Sequence, residues 1–441
     1  MKRLLYVGIT LLVAILTYFI GCKDWLKGDK KQENPKDVVF TPSRIDQPIP
    51  NEYIISMPKN PKSKEYIEYK NFLDKHFLEI QSKSICPCNQ DLQMWTAKVD
   101  FEPDKDPPTT GSSDTSVFLS RNYSITLDES ISFKSNLKAL YQKGNVVKIA
   151  ILDTGVDTTI GTLAGFLHKN PSMSFMCNST ISEGVYGMNM LYITREQPNV
   201  EPIDADGHGT FINGIMAGLA TYPPHYSKQE LALNVSLDVL NVKIGANKKT
   251  GSTLFKTLCG MYYAVKSNAN LINASWRVSP RKIDINSVAQ SFIPVLTEMK
   301  KSNMMLVASA GNDSKQDLMH LPSAFARPFT FSTVVGSSSV VADFSDIVVS
   351  VGAWSTSEND IADFSNRGSN VDIYAPGELI RSLNLGGSMK LGSGTSYATP
   401  FVTQRLAELM GENPRPMNLK ANLMSRHSRT IRPDVKLLIM R

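Results

Sequence analysis

Val146-Val147-Lys148-Ile149-Ala150-Ile151-Leu152-Asp153-Thr154-Gly155 is an apolar run that ends in a carboxylate and a turn. The β-branched enrichment reads as a buried strand, with Asp153 delivered at its carboxyl end. Two later stretches repeat the pattern. Leu271-Ile272-Asn273-Ala274-Ser275 runs into Trp276, and Met305-Leu306-Val307-Ala308-Ser309-Ala310 runs into Gly311-Asn312. Helical stretches separate them, so from about Asn145 the chain reads as a mainly parallel sheet with crossover helices. In such sheets ligands gather outside the carboxyl ends of the strands. The three polar ends therefore point to one crevice.

The whole chain is consistent with a globular protein. It has 441 residues, 42% hydrophobic and 20% charged, which excludes disorder and collagen-like low complexity. Forty-seven Lys and Arg against 41 Asp and Glu give a net charge of +6. That mild excess, with no run of five or six basic residues, argues against a nucleic-acid partner.

Four short motifs carry the chemistry, in the order Asp153-Thr154-Gly155, Asp206-Gly207-His208-Gly209-Thr210, Ser309-Ala310-Gly311-Asn312 and Gly394-Thr395-Ser396-Tyr397-Ala398-Thr399-Pro400. A serine hydroxyl becomes a useful nucleophile when a base takes its proton and a carboxylate on the other ring nitrogen holds that base. On that logic Ser396 is the nucleophile, His208 the base and Asp153 the orienter. His208 opens the apolar run Phe211 to Ala217, and Ser396 opens Tyr397 to Met410; both stretches read as helices. A helix N-terminus favours the oxyanion formed when serine attacks a carbonyl. The Ser396 amide and the Asn312 side chain are the two donors.

Together the four motifs resemble the subtilisin-like serine peptidases, over roughly residues 130–425, with Phe364-Ser365-Asn366-Arg367-Gly368 and Ala375-Pro376-Gly377 alongside. The resemblance implies an α/β fold, a three-layer subtilisin-like domain with a mainly parallel central sheet, preceded here by a small α+β module. It implies hydrolysis of polypeptide substrates without a cofactor for the chemistry, and substrate-binding segments at Ser275, Trp276, Arg277, Ala310 and Gly311. The chain departs from the family pattern at several places. Trp276 and Arg277 stand where small residues are usual, which points to a narrowed pocket or to acidic side chains drawn by Arg277. Phe211 replaces a second histidine, and Tyr397 and Phe401 flank the nucleophile. The rival reading is a catalytically silent binding protein on the same fold.

Other polar residues read as structural. His76, His168, His225, His320 and His427 sit in no motif and read as surface or satisfied core histidines. Asp157, Asp204 and Asp206 read as solvated loop carboxylates, because no DxDxDG loop with a downstream Glu is present. No metal site is expected, and structural calcium is left open.

The amino terminus reads as an address. Lys2 and Arg3 precede an uncharged run from Leu4 to Ile20 that ends at Gly21-Cys22, a secretory signal pattern at the short limit of a bilayer span. A small residue followed by Cys22 resembles the lipobox of bacterial lipoproteins. Acylated Cys22 would anchor an exported monomer to a membrane of the cell envelope; a signal-anchor helix is the alternative. Residues 22–49 then form a tether, and 50–120 a small module: a strand at Tyr53-Ile54-Ile55, near-helical apolar spacing from Ser63 to Ile85, and a strand from Leu92 to Val99. Below ~70–80 residues such a module is marginal alone, so it is expected to pack on the domain C-terminal to it. Its position is that of the family's removable N-terminal domain. Retention is favoured, since cutting between residues 105 and 145 would free the catalytic domain from Cys22. Residues 426–441 read as a tail. Cys86, Cys88, Cys177 and Cys259 allow three pairings, and a local Cys86–Cys88 bridge or free thiols are both open.

Overall fold

The structure is a computed structural model that describes residues 46–101, 118–125, 130–133, 145–169, 185–191, 201–223, 235–247, 251–282, 284–332, 339–412 and 418–440. The signal sequence, Cys22, most of the tether, Cys177 and His225 lie outside the described residues. Among the described residues no helix is long and apolar enough to cross a membrane.

The amino-terminal module is an antiparallel sheet with one helix. Strands β1 (Pro48–Ser56), β2 (Phe77–Cys86), β3 (Asn89–Val99) and β4 (Phe118–Ile125) run in the order β2-β3-β1-β4. Helix α1 (Lys64–His76) starts where Ser63 Oγ accepts from the Tyr66 amide at 3.1 Å. Apolar spacing predicts that this helix continues to Ile85. The chain instead leaves it at His76 and becomes β2, which pairs antiparallel with β3 through three register shifts. Leu78, Ile80 and Ile85 are exposed on this edge strand, so their helix-like spacing reflects no buried face. Strand pairing decides the segment, and Lys83 Nζ lies 3.6 Å from the centroid of Trp95 across the ladder.

One face of the module's sheet buries Tyr53, Ile55, Phe77 and Trp95 against Tyr69 and Leu73 of α1. Its other face has no core of its own. Ile54, Leu92, Met94, Phe118 and Tyr123 belong to one cluster with Phe255, Leu258, Tyr262 and Phe292. These last four come from α3 (Leu254–Lys266) and α4 (Ile285–Lys301), named after α2 (His208–Met216) in chain order. The strand Ser252–Thr253 pairs with β4 and so extends the module's sheet. Asn122 Oδ1 accepts from the Phe255 amide at 3.1 Å, satisfying an otherwise orphan donor in the first turn of α3. A module too small to stand alone thus shares the core of the domain C-terminal to it.

Beyond it lies the parallel sheet: β5 (Val146–Asp153), β6 (Gly187–Asn189), β7 (Ser236–Lys243), β8 (Leu271–Ala274), β9 (Met305–Ser309), β10 (Val348–Ser355), β11 (Ile373–Pro376), β12 (Ser428–Arg432) and β13 (Val435–Leu438). Spatially they run β12-β13-β11-β10-β9-β8-β5-β7-β6, with Asp360–Ile361 pairing β10. All are parallel except the β12–β13 hairpin and the Asp360–Ile361 pair. Ala150, Leu152, Ile272, Leu306 and Val348 face the cluster of α3 and α4. Helices α2 and α5 (Thr395–Glu412) pack on each other and on β5, while α5 also crosses β8 to β11. The architecture is the three-layer α/β sandwich the sequence implies. One segment departs from the sequence reading: residues read as a tail supply β12 and β13, which extend the sheet past β11.

Candidate active site

The register of the central strands sets the site. Asn273 stands opposite Ile151 on one side and Val307 on the other. Two residues further along each strand come Asp153, Ser275 and Ser309, so all three chain exits lie at one level of the sheet. Asp153 is buried, and its Oδ1 accepts from His208 Nδ1 at 2.7 Å and from the Thr154 amide at 2.7 Å. A carboxylate can only accept, so Nδ1 carries the proton and Nε2 is the basic nitrogen of the neutral ring.

His208 is the first residue of α2, and the start of that helix is fixed from two sides. Gly209 donates its amide to Thr154 Oγ1 at 2.8 Å, and a Cβ on Gly209 would fall 2.1 Å from the Gly155 carbonyl oxygen. Only glycine allows the helix to sit this close to the Asp-Thr-Gly turn. Asp204 holds the other side. Its carboxylate accepts from the amides of Asp206, Gly207 and Thr210 and from Thr210 Oγ1, at 2.7 to 2.9 Å. Asp204 is therefore buried, contrary to its reading as a solvated loop carboxylate. Burial raises its pKa, and these bonds outweigh that and hold it below the ordinary carboxylate value. Nearby Lys243 is buried, donating to the carbonyls of Thr154 at 2.6 Å and Ile203 at 2.8 Å. Burial lowers its pKa while Asp204, Asp153 and Asp206 oppose the shift. A cation thus stands behind the carboxylates.

Ser396 is the second residue of α5 and buried. It exchanges two bonds with the residue after β8: Ser396 Oγ donates to the Ser275 carbonyl at 2.9 Å, and Ser275 Oγ donates to the Ser396 carbonyl at 2.7 Å. Asn273 Nδ2 donates to Ser275 Oγ and Thr403 Oγ1 donates to Asn273 Oδ1, each at 2.9 Å. This chain of side chains ties α5 to β8. Behind His208 the unusual aromatics meet: Phe211 and Tyr397 have ring centroids 4.4 Å apart, and Tyr397 lies 5.5 Å from the His208 ring. The two departures from the family pattern fill one space together.

Asn312 is aimed by Thr395. Its Oδ1 accepts from the Thr395 amide and from Thr395 Oγ1, both at 2.8 Å, which leaves the amide Nδ2 as the donor end. Thr395 Oγ1 also accepts from the Gly311 amide at 3.1 Å. Asn366 braces the same loop, donating to the Ala310 carbonyl and to Asp313 Oδ2 and accepting from the Asp313 and Lys315 amides.

The segments named for substrate are buried: Ser275, Trp276, Arg277, Ala310 and Gly311. Gly311 has φ +103°, and a Cβ there would fall 2.4 Å from His320 Cδ2. His320 is a satisfied core histidine, with Ser279 Oγ 2.7 Å from Nδ1 and Asp313 Oδ2 2.5 Å from Nε2. Serine, histidine and aspartate thus meet a second time, but here the Ser279 backbone is sealed by Asp46, its carbonyl accepting from the Asp46 amide and its amide donating to the Asp46 carboxylate. Burial lowers the His320 pKa, and the Arg277 charge adds to this while Asp313 opposes it. Arg277 thus acts electrostatically on half-buried Asp313 and buried His320. Among the described residues no group of three or more His, Cys, Asp or Glu is placed to hold a metal ion.

Sequence motifs named Asp153, His208, Asn312 and Ser396, and the structure brings Asp153 to His208 and sets Ser396 and Asn312 at the ends of neighbouring elements. Thr395, Asn366, Asp204, Lys243 and Asn273 were missed. Thr395, Asn366 and Asp204 stand inside or beside quoted motifs; Lys243, at the end of β7, and Asn273, inside β8, carry no local signal.

A family model described as the subtilase family matches residues 144–440. Among curated proteins, the cell wall-associated protease of Bacillus subtilis (strain 168) is 29% identical over 275 residues, 62% of this chain and 24% of that protein. Subtilisin-like protease 2 of Arthroderma benhamiae is 29% identical over 249 residues, covering 55% and 49%. The chain spans about a quarter to a half of the length of these curated relatives. Of solved structures, the epidermin leader peptide processing serine protease of Staphylococcus aureus aligns over 86% of this chain and 92% of its own, with a TM-score of 0.53 and 16% identity. That likeness is one of fold.

Proposed function

The chain belongs to the subtilase family, and from that premise we propose that it is a serine endopeptidase acting on polypeptides through Asp153, His208 and Ser396. The observation that carries the reading is the buried 2.7 Å bond from His208 Nδ1 to Asp153 Oδ1, with Ser396 in the first turn of a helix that packs on α2 and β5. For reaction the Ser396 hydroxyl leaves the Ser275 carbonyl and turns to His208 Nε2. The imidazole then takes the proton as Oγ attacks the scissile carbonyl, and Asp153 stabilises the imidazolium. The oxyanion is met by Asn312 Nδ2 and the Ser396 amide at the positive end of α5. His208 returns the proton to the leaving amine, and water repeats the sequence on the acyl-enzyme.

Labelling with a fluorophosphonate tests this. Wild-type chain from residue 22 is expected to label, and the Ser396→Ala variant not. If neither folded protein labels, the catalytic reading fails and a binding protein on this fold replaces it. The proposal that Cys22 is lipidated is separate: mass spectrometry of membrane-extracted protein should find an acylated Cys22 as the first residue, and an unmodified Cys22 or a retained Met1 would refute it.

A further inference from the structure

Two thiols that the proposed chemistry does not use face each other across the boundary between module and catalytic domain. Cys86 ends β2 at the hairpin to β3, and Cys259 lies in the middle of α3. Both are free thiols, fully buried in the shared core cluster, and Cys86 is the neighbouring group that acts on the Cys259 thiol. The hairpin sits against the same helix one turn on, where Asn89 and Tyr262 line one pocket. Cys88, the other thiol of the hairpin, is already disulfide-bonded. The local Cys86–Cys88 bridge left open by the sequence is therefore absent, and Cys259 is the thiol that neighbours Cys86.

We propose that Cys86 and Cys259 are a redox-dependent staple, which a disulfide oxidant closes into a covalent link between the module and the catalytic domain. With oxidised glutathione as the oxidant, one Cys loses its proton to solvent and attacks a glutathione sulfur, releasing one glutathione thiol. The second Cys, deprotonated in turn, attacks the mixed disulfide and releases the other. Two S–H bonds are replaced by one S–S bond, and the two electrons and two protons leave on two reduced glutathiones. The sulfurs must close to about 2.05 Å. Burial raises the Cys259 pKa, with Cys86 adding to the shift, so the reaction belongs to folding or to local opening, when a thiolate can form. The staple makes the backbone between the two parts dispensable for attachment: a chain cut between residues 105 and 145 would keep its module until reduced.

The test refolds the full chain in a glutathione redox buffer, alkylates remaining thiols under denaturing conditions, and identifies linked peptides by mass spectrometry. A Cys86–Cys259 peptide, with both thiols lost to alkylation, is the expected result. In Cys86→Ser and Cys259→Ser variants the linked peptide disappears and the partner thiol becomes alkylatable. Natively folded wild-type protein in which both thiols remain alkylatable after oxidation overturns the proposal. So does a peptide linking Cys86 to any other cysteine. These wild-type readings stand even if a variant fails to fold.

Discussion

Replacing Thr395 by valine tests whether Asn312 works as an aimed donor. Thr395 supplies both donors that hold Asn312 Oδ1, the amide and Oγ1 at 2.8 Å each, and Oγ1 also receives the Gly311 amide at 3.1 Å. Valine keeps the shape and the backbone donor and removes the hydroxyl. One of two anchoring bonds is lost, about 1 kcal/mol, and a stranded Gly311 N–H adds about 1–3 kcal/mol to the loss of stability. Loss of an oxyanion donor altogether costs on the order of 10²–10³ in kcat, a range measured on subtilisin. Half the anchoring should therefore cost about 1–2 kcal/mol, roughly 5–30-fold in kcat with KM little changed. Steady-state hydrolysis of a chromogenic peptide reads this, with thermal unfolding as the control for folding. Thr395→Ser should restore kcat, and Asn312→Ala should lower it by about 10²–10³. The decisive measurement is the double variant. If Thr395 acts through Asn312, it is no slower than Asn312→Ala alone, a coupling of about 1–2 kcal/mol. Two factors that multiply would refute the reasoning.

The geometry sets three further outcomes. Gly209→Ala drives a Cβ onto the Gly155 carbonyl 2.1 Å away and should push α2, and His208 with it, off Asp153; a loss of kcat/KM of at least about 10²-fold is expected, and near wild-type kinetics would contradict it. Asp204→Asn keeps an acceptor but forfeits the charge that four donors address, so unfolding in denaturant should show a loss of about 2–4 kcal/mol at neutral pH. Because the folded Asp204 pKa is lowered, its stabilisation is complete above the unfolded carboxylate value and lost as pH falls through the folded one; the variant's deficit should therefore shrink only below about pH 4. His320 has the opposite chemistry: its folded pKa is lowered mainly by burial, so the unfolded chain takes up a proton first as pH falls below about 6.5. Stability should decline from there with a slope of up to about 1.4 kcal/mol per pH unit, and His320→Gln should flatten the decline that begins below about pH 6.5.

Legibility in the sequence followed the range of the interactions. Strand β5 and the turn after it are local, and Val146 to Gly155 already specify them. The groups of the proposed site stand out in the sequence because each sits in a short motif at the end of an element. What holds those groups is long-range and silent: Lys243 reaches Thr154 across 89 residues and Asn273 reaches Thr403 across 130. The spacing of Ser63 to Ile85 misled because Leu78, Ile80 and Ile85 are apolar yet exposed, and periodicity assumes that apolar residues are buried. Asp204 was misjudged for the converse reason, since four donors contributed by its own loop pay for burying a charge that composition assigns to solvent.

The cluster that joins the module to α3 and α4 bears on solubility. Remove the module, and Phe255, Leu258, Cys259 and Tyr262 lose the Ile54, Leu92, Met94 and Phe118 side of their packing. The liberated catalytic domain would carry a contiguous greasy scar of the kind that draws proteins into self-association, and the first turn of α3 would lose the Asn122 acceptor. A soluble, module-free form would need a second molecule, or a second copy of itself, to cover that face.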